Sequence, residues 1–272
     1  MGSSSSLYGR VVVVLLAMAA AATTAAGAWL DAEGGQALDE RIVGGEYTAD
    51  GDFPEVVSVM TRPLIGEGQH LCGGLILNEN HVLTTATCVL GRGARDLKVV
   101  AAGSDLSGSG DEEVRNVQKI FIYDFFDSVT KENDLAVLRT SRNFVFVQGL
   151  VGPGLLPETG TAEPSSGTIV TVAGWGRDKY EGEQSPMQRA VNLTYVTHSE
   201  CQTVYGATLQ SNHGCMVGEP NHGVCDGDEG GPVLMDGLAI GIVAWQVGCD
   251  AYPASLTLLE YYYVWIQAML DA

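Results

Sequence analysis

Few residues in this chain have the type and spacing for chemistry. Asp228 and Glu229 are adjacent carboxylates in Gly227-Asp228-Glu229-Gly230-Gly231-Pro232, and Asp134 stands alone in Asn133-Asp134-Leu135. Thr87 ends the hydroxyl-rich run Leu83-Thr84-Thr85-Ala86-Thr87-Cys88. Paired carboxylates can do general acid–base work. Two hard ligands are too few to define a metal site, and without a C-x-x-C pair zinc is not expected. The chain is thus expected to need no metal and no cofactor. The histidines are His70, His81, His198, His213 and His222. His81 falls six residues before Thr87 and His222 three before Cys225. Both are expected to be surface or loop histidines.

The elements that must hold these groups are mostly short strands. The 272 residues are 46% hydrophobic and 17% charged, the balance of an ordered globular protein. Arg10, the apolar run 11–22 and Ala26-Gly27-Ala28 form a secretory signal pattern, so residues 1–28 are expected to be removed and the chain to be secreted. No later stretch is long and apolar enough to span a bilayer. Six cysteines in a secreted chain imply three disulfides, with 15 connectivities open. Residues 42–272 carry 29 acidic and 12 basic side chains, a net charge of −17. That excludes nucleic-acid binding and favours solubility or a basic partner.

Runs rich in β-branched residues, bounded by Gly, Asn and Asp, predict strands at 56–60, 73–77, 81–85, 97–102, 114–123, 135–139, 168–172, 190–196, 232–235 and 238–245. Such spacing reads as an all-β sandwich or barrel. Residues 151–167 read as a linker. Tyr262, Trp265, Ile266 and Met269 then fall on one face of a helix. Asn192-Leu193-Thr194 is a glycosylation sequon, with Asn192 as the acceptor.

Several motifs resemble those of the trypsin-like (chymotrypsin-fold, peptidase S1) serine proteases. Residues 227–232 resemble GDSGGP with Glu229 in the serine slot, and residues 83–88 resemble LTAAHC with Thr87 in the histidine slot. Asn133–Leu138 resembles the segment carrying the triad aspartate, Gly174-Trp175-Gly176 resembles GWG, and Cys72-Gly73-Gly74 stands in its family place. Arg41 followed by Ile42-Val43-Gly44-Gly45 resembles a zymogen activation site. The resemblance covers residues 42–272. It implies two perpendicular six-stranded β-barrels, at about 42–150 and 165–258, a cleft between them, and a C-terminal helix at about 259–270. Residues 29–41 would be a short propeptide. It implies the pairs Cys72–Cys88, Cys201–Cys215 and Cys225–Cys249. It also implies cleavage by a trypsin-like protease before Ile42, whose new ammonium would pair with Asp228.

The same comparison puts the reacting centre in disrepair. An active member needs a serine, a histidine and an aspartate acting together. Here only Asp134 remains, with Ala244 where a supporting serine is usual. A buried carboxylate so deprived of donors should have a raised pKa or more water around it. Glu229 would face Asp134 across the cleft with Thr87 between them, either bonded to Thr87 or solvated. In the specificity pocket, the base falls at Gly223, and Gln246 and Ala254 replace frequent glycines beside Trp245. The Gln246 side chain is expected to protrude into the cleft. Gly227 keeps the oxyanion-loop glycine. The sequence therefore predicts a serine protease homologue without catalysis, binding an unidentified protein as cofactor, decoy or regulator. The alternatives are an active endopeptidase of unusual specificity, a hydrolase using the two carboxylates, and a storage or structural secreted protein.

Overall fold

The computed structural model describes residues 43–108, 110 and 112–272. The expected signal, propeptide, Arg41 and Ile42 lie outside them. The described strands are β1 (Glu46–Tyr47), β2 (Val56–Thr61), β3 (His70–Asn78), β4 (His81–Thr84), β5 (Leu97–Ala101), β6 (Glu113–Ile122) and β7 (Ala136–Thr140), followed by β8 (Ile169–Gly174), β9 (Arg189–Val196), β10 (His213–Val217), β11 (Pro232–Met235), β12 (Leu238–Trp245) and β13 (Ala254–Leu258). Helices are few: a single turn α1 (Ala86–Val89), α2 (His198–Tyr205) and α3 (Tyr263–Leu270).

Two closed antiparallel barrels result. The first runs β2-β3-β4-β7-β6-β5, and the second closes β8-β9-β10-β13-β12-β11 by the pairing of β9 with β8. Strand β1 is an extra member, paired to β9 of the second barrel. Closure leaves no long free edge in either ring. Strand β9 shows why the sequence folds this way. Its residues alternate, with Val191, Leu193 and Tyr195 buried and Asn192 exposed, the period-2 pattern of a half-buried strand. Strand β12 is buried almost throughout because the barrel packs on its inner side and further chain covers the outer.

Among the described residues three large apolar clusters make up most of the core, with three small ones beside them. One lies inside the first barrel around Val57, Ile76, Val99 and Leu138. One lies inside the second around Val172, Leu193, Met216 and Leu256. The third joins the barrels: Leu75, Leu83 and Val137 of the first meet Leu234 and Ile242 of the second and Ile266 of α3. Helix α3 belongs to this joint. Ile266 is fully buried, and Trp265 and Met269 pack beside it, as the helical face in the sequence predicts. The helix proper begins at Tyr263, because residues 259–262 form a tighter 3-10 turn.

The structure corrects two further expectations. Residues 151–167 are not a loose linker: Val151 bridges Val147, and Leu155 pairs in parallel with Leu238 of β12. His81 is buried, not exposed. Its Nδ1 lies 3.0 Å from Asn78 Oδ1 in the turn between β3 and β4. All three disulfides form as the family resemblance implies, Cys72–Cys88, Cys201–Cys215 and Cys225–Cys249. Each closes a loop worth about 3 kcal/mol by chain entropy.

The docking of α3 is testable by comparing two of its faces. Ile266→Ala should cost roughly 2–5 kcal/mol by emptying the joint, whereas Val264→Ala, on the exposed face, should stay within about 0.5 kcal/mol. Urea unfolding of the two variants measures both.

Candidate functional site

The chemistry-bearing residues converge where the two barrels meet. Helix α1 carries Thr87. Its cap is Thr85, whose hydroxyl accepts the Cys88 amide, and the turn leaves Thr87 exposed toward the cleft. Asp134 arrives just before β7 and is completely buried. Its Oδ1 accepts the Thr87 amide at 2.7 Å and its Oδ2 accepts the Thr87 hydroxyl at 2.6 Å. A further amide, that of Ala86, also contributes. Burial pushes the Asp134 carboxyl up, against the pull of Thr87 and of the Lys131 ammonium. The expected direction holds, but Asp134 is not short of donors. The threonine hydroxyl supplies the bond that an imidazole would otherwise make.

Lys131 was not singled out in the sequence. Its Nζ donates to Thr87 Oγ1 at 3.1 Å, so an ammonium, a hydroxyl and a carboxylate form one chain. Lys131 and Asn133 both have positive φ, 60° and 57°. These left-handed residues turn the loop ahead of Asp134 back on itself. Asn133 is held there: its side-chain carbonyl accepts the Tyr262 hydroxyl at 2.7 Å.

Glu229 lies on the other side, and the structure corrects its expected partner. It is neither bonded to Thr87 nor freely solvated. Its Oε2 accepts the backbone amide of Gly227 at 2.8 Å, and its own amide also bonds the carboxyl. Desolvation, opposed by these amides, raises its pKa to about 7. Gly227 can point its amide this way because its φ of +103° is open only to glycine. The carbonyl of Gly227 is fixed by His70, whose Nε2 donates to it at 2.8 Å. The His70 Nδ1 lies 2.7 Å from the Ser58 hydroxyl, and in the neutral ring that burial favours it accepts from that hydroxyl. Burial depresses its pKa to about 4. A lone histidine 157 residues from its partner leaves no local mark in the sequence.

Asp228 points inward. Its carboxyl oxygens accept the amides of Gly176 and Cys225, each at 2.9 Å. A Cβ on Gly176 would stand 2.3–2.6 Å from that carboxyl, and one on Gly174 at 2.4 Å. The two glycines of Gly174-Trp175-Gly176 therefore make the room in which Asp228 is buried. Burial outweighs the two amides and lifts its pKa to about 7. Val43, the first described residue, lies near: its carbonyl accepts the Gly223 amide at 3.0 Å.

The five expected specificity-pocket residues divide between two cavities: Ala244 and Trp245 line the one over Thr87, Gly223 and Ala254 line another, and Gln246 lines neither. Gln246 does not simply project into the cleft. Its Nε2 donates to Asp226 Oδ1 at 2.7 Å while its Oε1 accepts the Cys249 amide at 2.7 Å. Gly223, Cys249, Tyr252 and Ala254 line a cavity of about 10 Å³, room for about one water. The open space is elsewhere. A pocket of about 290 Å³ lies over Thr87, Asp134 and Glu229, walled by Leu71, the Cys72–Cys88 disulfide, Ala244 and Trp245, with Arg92 and Lys131 at its side. Among the described residues no group of three or more His, Cys, Asp or Glu side chains is placed to hold a metal ion. Asn192 lies within β9, exposed, its Oδ1 accepting the Thr171 hydroxyl at 2.8 Å.

The raised carboxyl of Glu229 makes a signed prediction. A folded pKa above the ordinary 4.5 means that folding binds a proton. That stabilisation is complete below about pH 4.5 and is lost as pH rises through about 7. His70 and His213, both depressed to about 4, slope the opposite way below pH 6.5, so the wild-type curve alone is ambiguous. The difference is not. Glu229→Gln should gain roughly 1–3 kcal/mol on wild type between pH 4.5 and pH 7.5, measured by urea unfolding at each pH. A constant difference across that range would refute it.

Comparison with known proteins places this geometry in a family. The Trypsin family model matches residues 42–266. Trypsin-1 of Astacus astacus is 32% identical over 239 residues, covering 84% of this chain and 99% of that protein. Trypsin delta of Drosophila melanogaster is 30% identical over 78% of this chain and 81% of its own length. Among solved structures, human heparin binding protein superposes with a TM-score of 0.73 at 26% identity, covering 84% of this chain and 96% of that one. The two barrels, the cleft between them and these matches together make this chain a member of the trypsin-like peptidase S1 family.

Proposed function

We propose that this chain is a secreted trypsin-family homologue without peptidase activity that works by binding another protein. The observation that carries this reading is the bond from the Gly227 amide to Glu229. Acyl transfer needs backbone amides aimed at the developing oxyanion, and here the amide of the oxyanion-loop glycine is taken by an internal carboxylate. Two further features support it. Thr87 offers Asp134 a hydroxyl instead of an imidazole, and a threonine is no base at neutral pH. Gln246 is bonded to Asp226 and to the Cys249 amide, and the cavity beside Gly223 and Ala254 has room for about one water.

The second reading is an active serine-type endopeptidase, favoured by the names of the relatives, which are trypsins and a venom serine protease. It requires a nucleophile and base that residues 87 and 229 do not supply. The heparin named for the human structure is a poor guide to this chain's ligand. A net charge of −17 over residues 42–272 repels a polysulfated chain. Processing by a trypsin-like protease at Arg41–Ile42 remains part of the proposal. Val43 lies against Gly223, and the buried carboxyl of Asp228 is a suitable partner for a new ammonium. Secretion and a glycan on Asn192 are proposed on the signal pattern and the sequon.

Two measurements test this. The protein cut after Arg41 should not react with a fluorophosphonate probe, since losing serine or histidine alone costs about 10⁶-fold in a related mechanism. Thr87→His with Glu229→Ser should restore only weak labelling, and adding Ala244→Ser and Gln246→Gly should strengthen it. Stoichiometric labelling of wild type, or full activity of the double variant, would overturn the proposal. N-terminal sequencing of secreted material should give Ile42; a sole start near Trp29 would remove processing from it.

A further inference from the structure

The pocket over Thr87 has an unusual balance of hydrogen-bonding groups. Most of its acceptor capacity is engaged from within. Asp134 accepts two groups of Thr87 and the Ala86 amide. Glu229 accepts the amide of Gly227 and its own. The one hydroxyl proton of Thr87 is spent on Asp134. The unspent capacity is almost all cationic donor. Lys131 uses one of its three N–H groups, on Thr87. Arg92 lines the same pocket, and among the described residues its guanidinium donates to nothing.

We infer that this pocket is a binding site for a carboxylate side chain, an Asp or Glu on an extended segment of a protein partner. It deepens the binding function proposed above and rests on it. A carboxylate has the acceptor lone pairs that Arg92 and Lys131 lack, and a guanidinium matches its geometry in a two-pronged contact. The volume of about 290 Å³ admits one side chain with its flanking backbone, and smaller cavities suit only waters. Trp245 and the Cys72–Cys88 disulfide give the apolar walls along which the stem of a glutamate would lie. The loop geometry agrees. Lys131 is held at a φ of 60°, a conformation that glycine would adopt at less cost, yet a long cationic side chain stands there and reaches the pocket floor.

The overall acidity of the chain does not contradict a local anion site. Charges farther than about 10 Å are largely screened at 0.1 M salt. In the pocket itself Asp134 and Glu229 stand against the two cations. Each carboxyl already accepts hydrogen bonds from the chain, so the free donors at the side, not the net charge of the lining, select the ligand. The site then works by short-range contact and not by long-range steering.

The test uses blocked tetrapeptides with one glutamate, or glutamine or lysine in its place, titrated into the protein cut after Arg41 by calorimetry. The glutamate peptide should bind at least 10-fold more tightly than its glutamine twin. That preference should vanish in Arg92→Gln/Lys131→Gln. Thr87→His, which fills the pocket, should abolish binding of the glutamate peptide and stands as a second arm if the double variant folds poorly. Equal binding of the twins overturns the inference, as does tighter binding of lysine or a preference that survives the double variant. No binding of the glutamate peptide up to millimolar concentration also overturns it, with or without binding of a sulfated oligosaccharide. Fluorophosphonate labelling of the same sample reports separately on the inactive reading.

Discussion

The cleft depends on one buried carboxyl. Asp228 sits between the barrels' connecting loops and takes amides from Gly176 and from Cys225. Those two residues lie far apart in sequence, one after β8 and the other ahead of β11. Their backbones meet because an unpaired carboxylate in that space would cost several kcal/mol. Gly174 and Gly176 leave it room, and Trp175 between them is buried with its indole N–H on the Ser104 carbonyl at 2.9 Å. The loop from Cys225 to Glu229 is shaped around that anchor. Everything placed by this loop, including the directions of Gly227 and Glu229, follows from it.

The donors of the cleft end on carboxyls of the chain. In a working serine protease the donors at the centre wait for charge that appears during reaction. In this chain they are satisfied at rest by residues of the chain itself. The hydroxyl of Thr87 and the amide of Gly227 both end on internal carboxylates. The cations that remain with spare donors, Arg92 and Lys131, are at the side of the pocket.

Much of this was legible in the sequence because the motifs are compact. Cys72-Gly73-Gly74, Gly174-Trp175-Gly176 and the segment 227–232 each carry a local backbone requirement, and together they name the fold. Most strands showed as β-branched runs. Strand β10 did not, because His213-Gly214-Cys215-Met216-Val217 has little β propensity and is a strand through its pairing with β9 and β13. Strand β13 is buried on both faces and so shows no alternation. Helix α2 is short and weakly amphipathic, and the disulfide from Cys201 to Cys215 fixes it. The partners of Glu229, His70 and Lys131 were hidden for a different reason. They are set by loop geometry and by contacts between distant residues, such as His70 with Gly227 and Lys131 with Thr87, which no spacing rule encodes.

Glu229 has a second role, through its main chain. Its carbonyl accepts the Gly73 amide at 2.9 Å, joining the second barrel to the first beside the disulfide at Cys72. That bond is indifferent to what the side chain is. Structural duty and chemical duty at this position are thus carried by different atoms, and the side chain can be exchanged without loosening the seam. The join between the barrels is therefore written in backbone, out of reach of substitution at this residue.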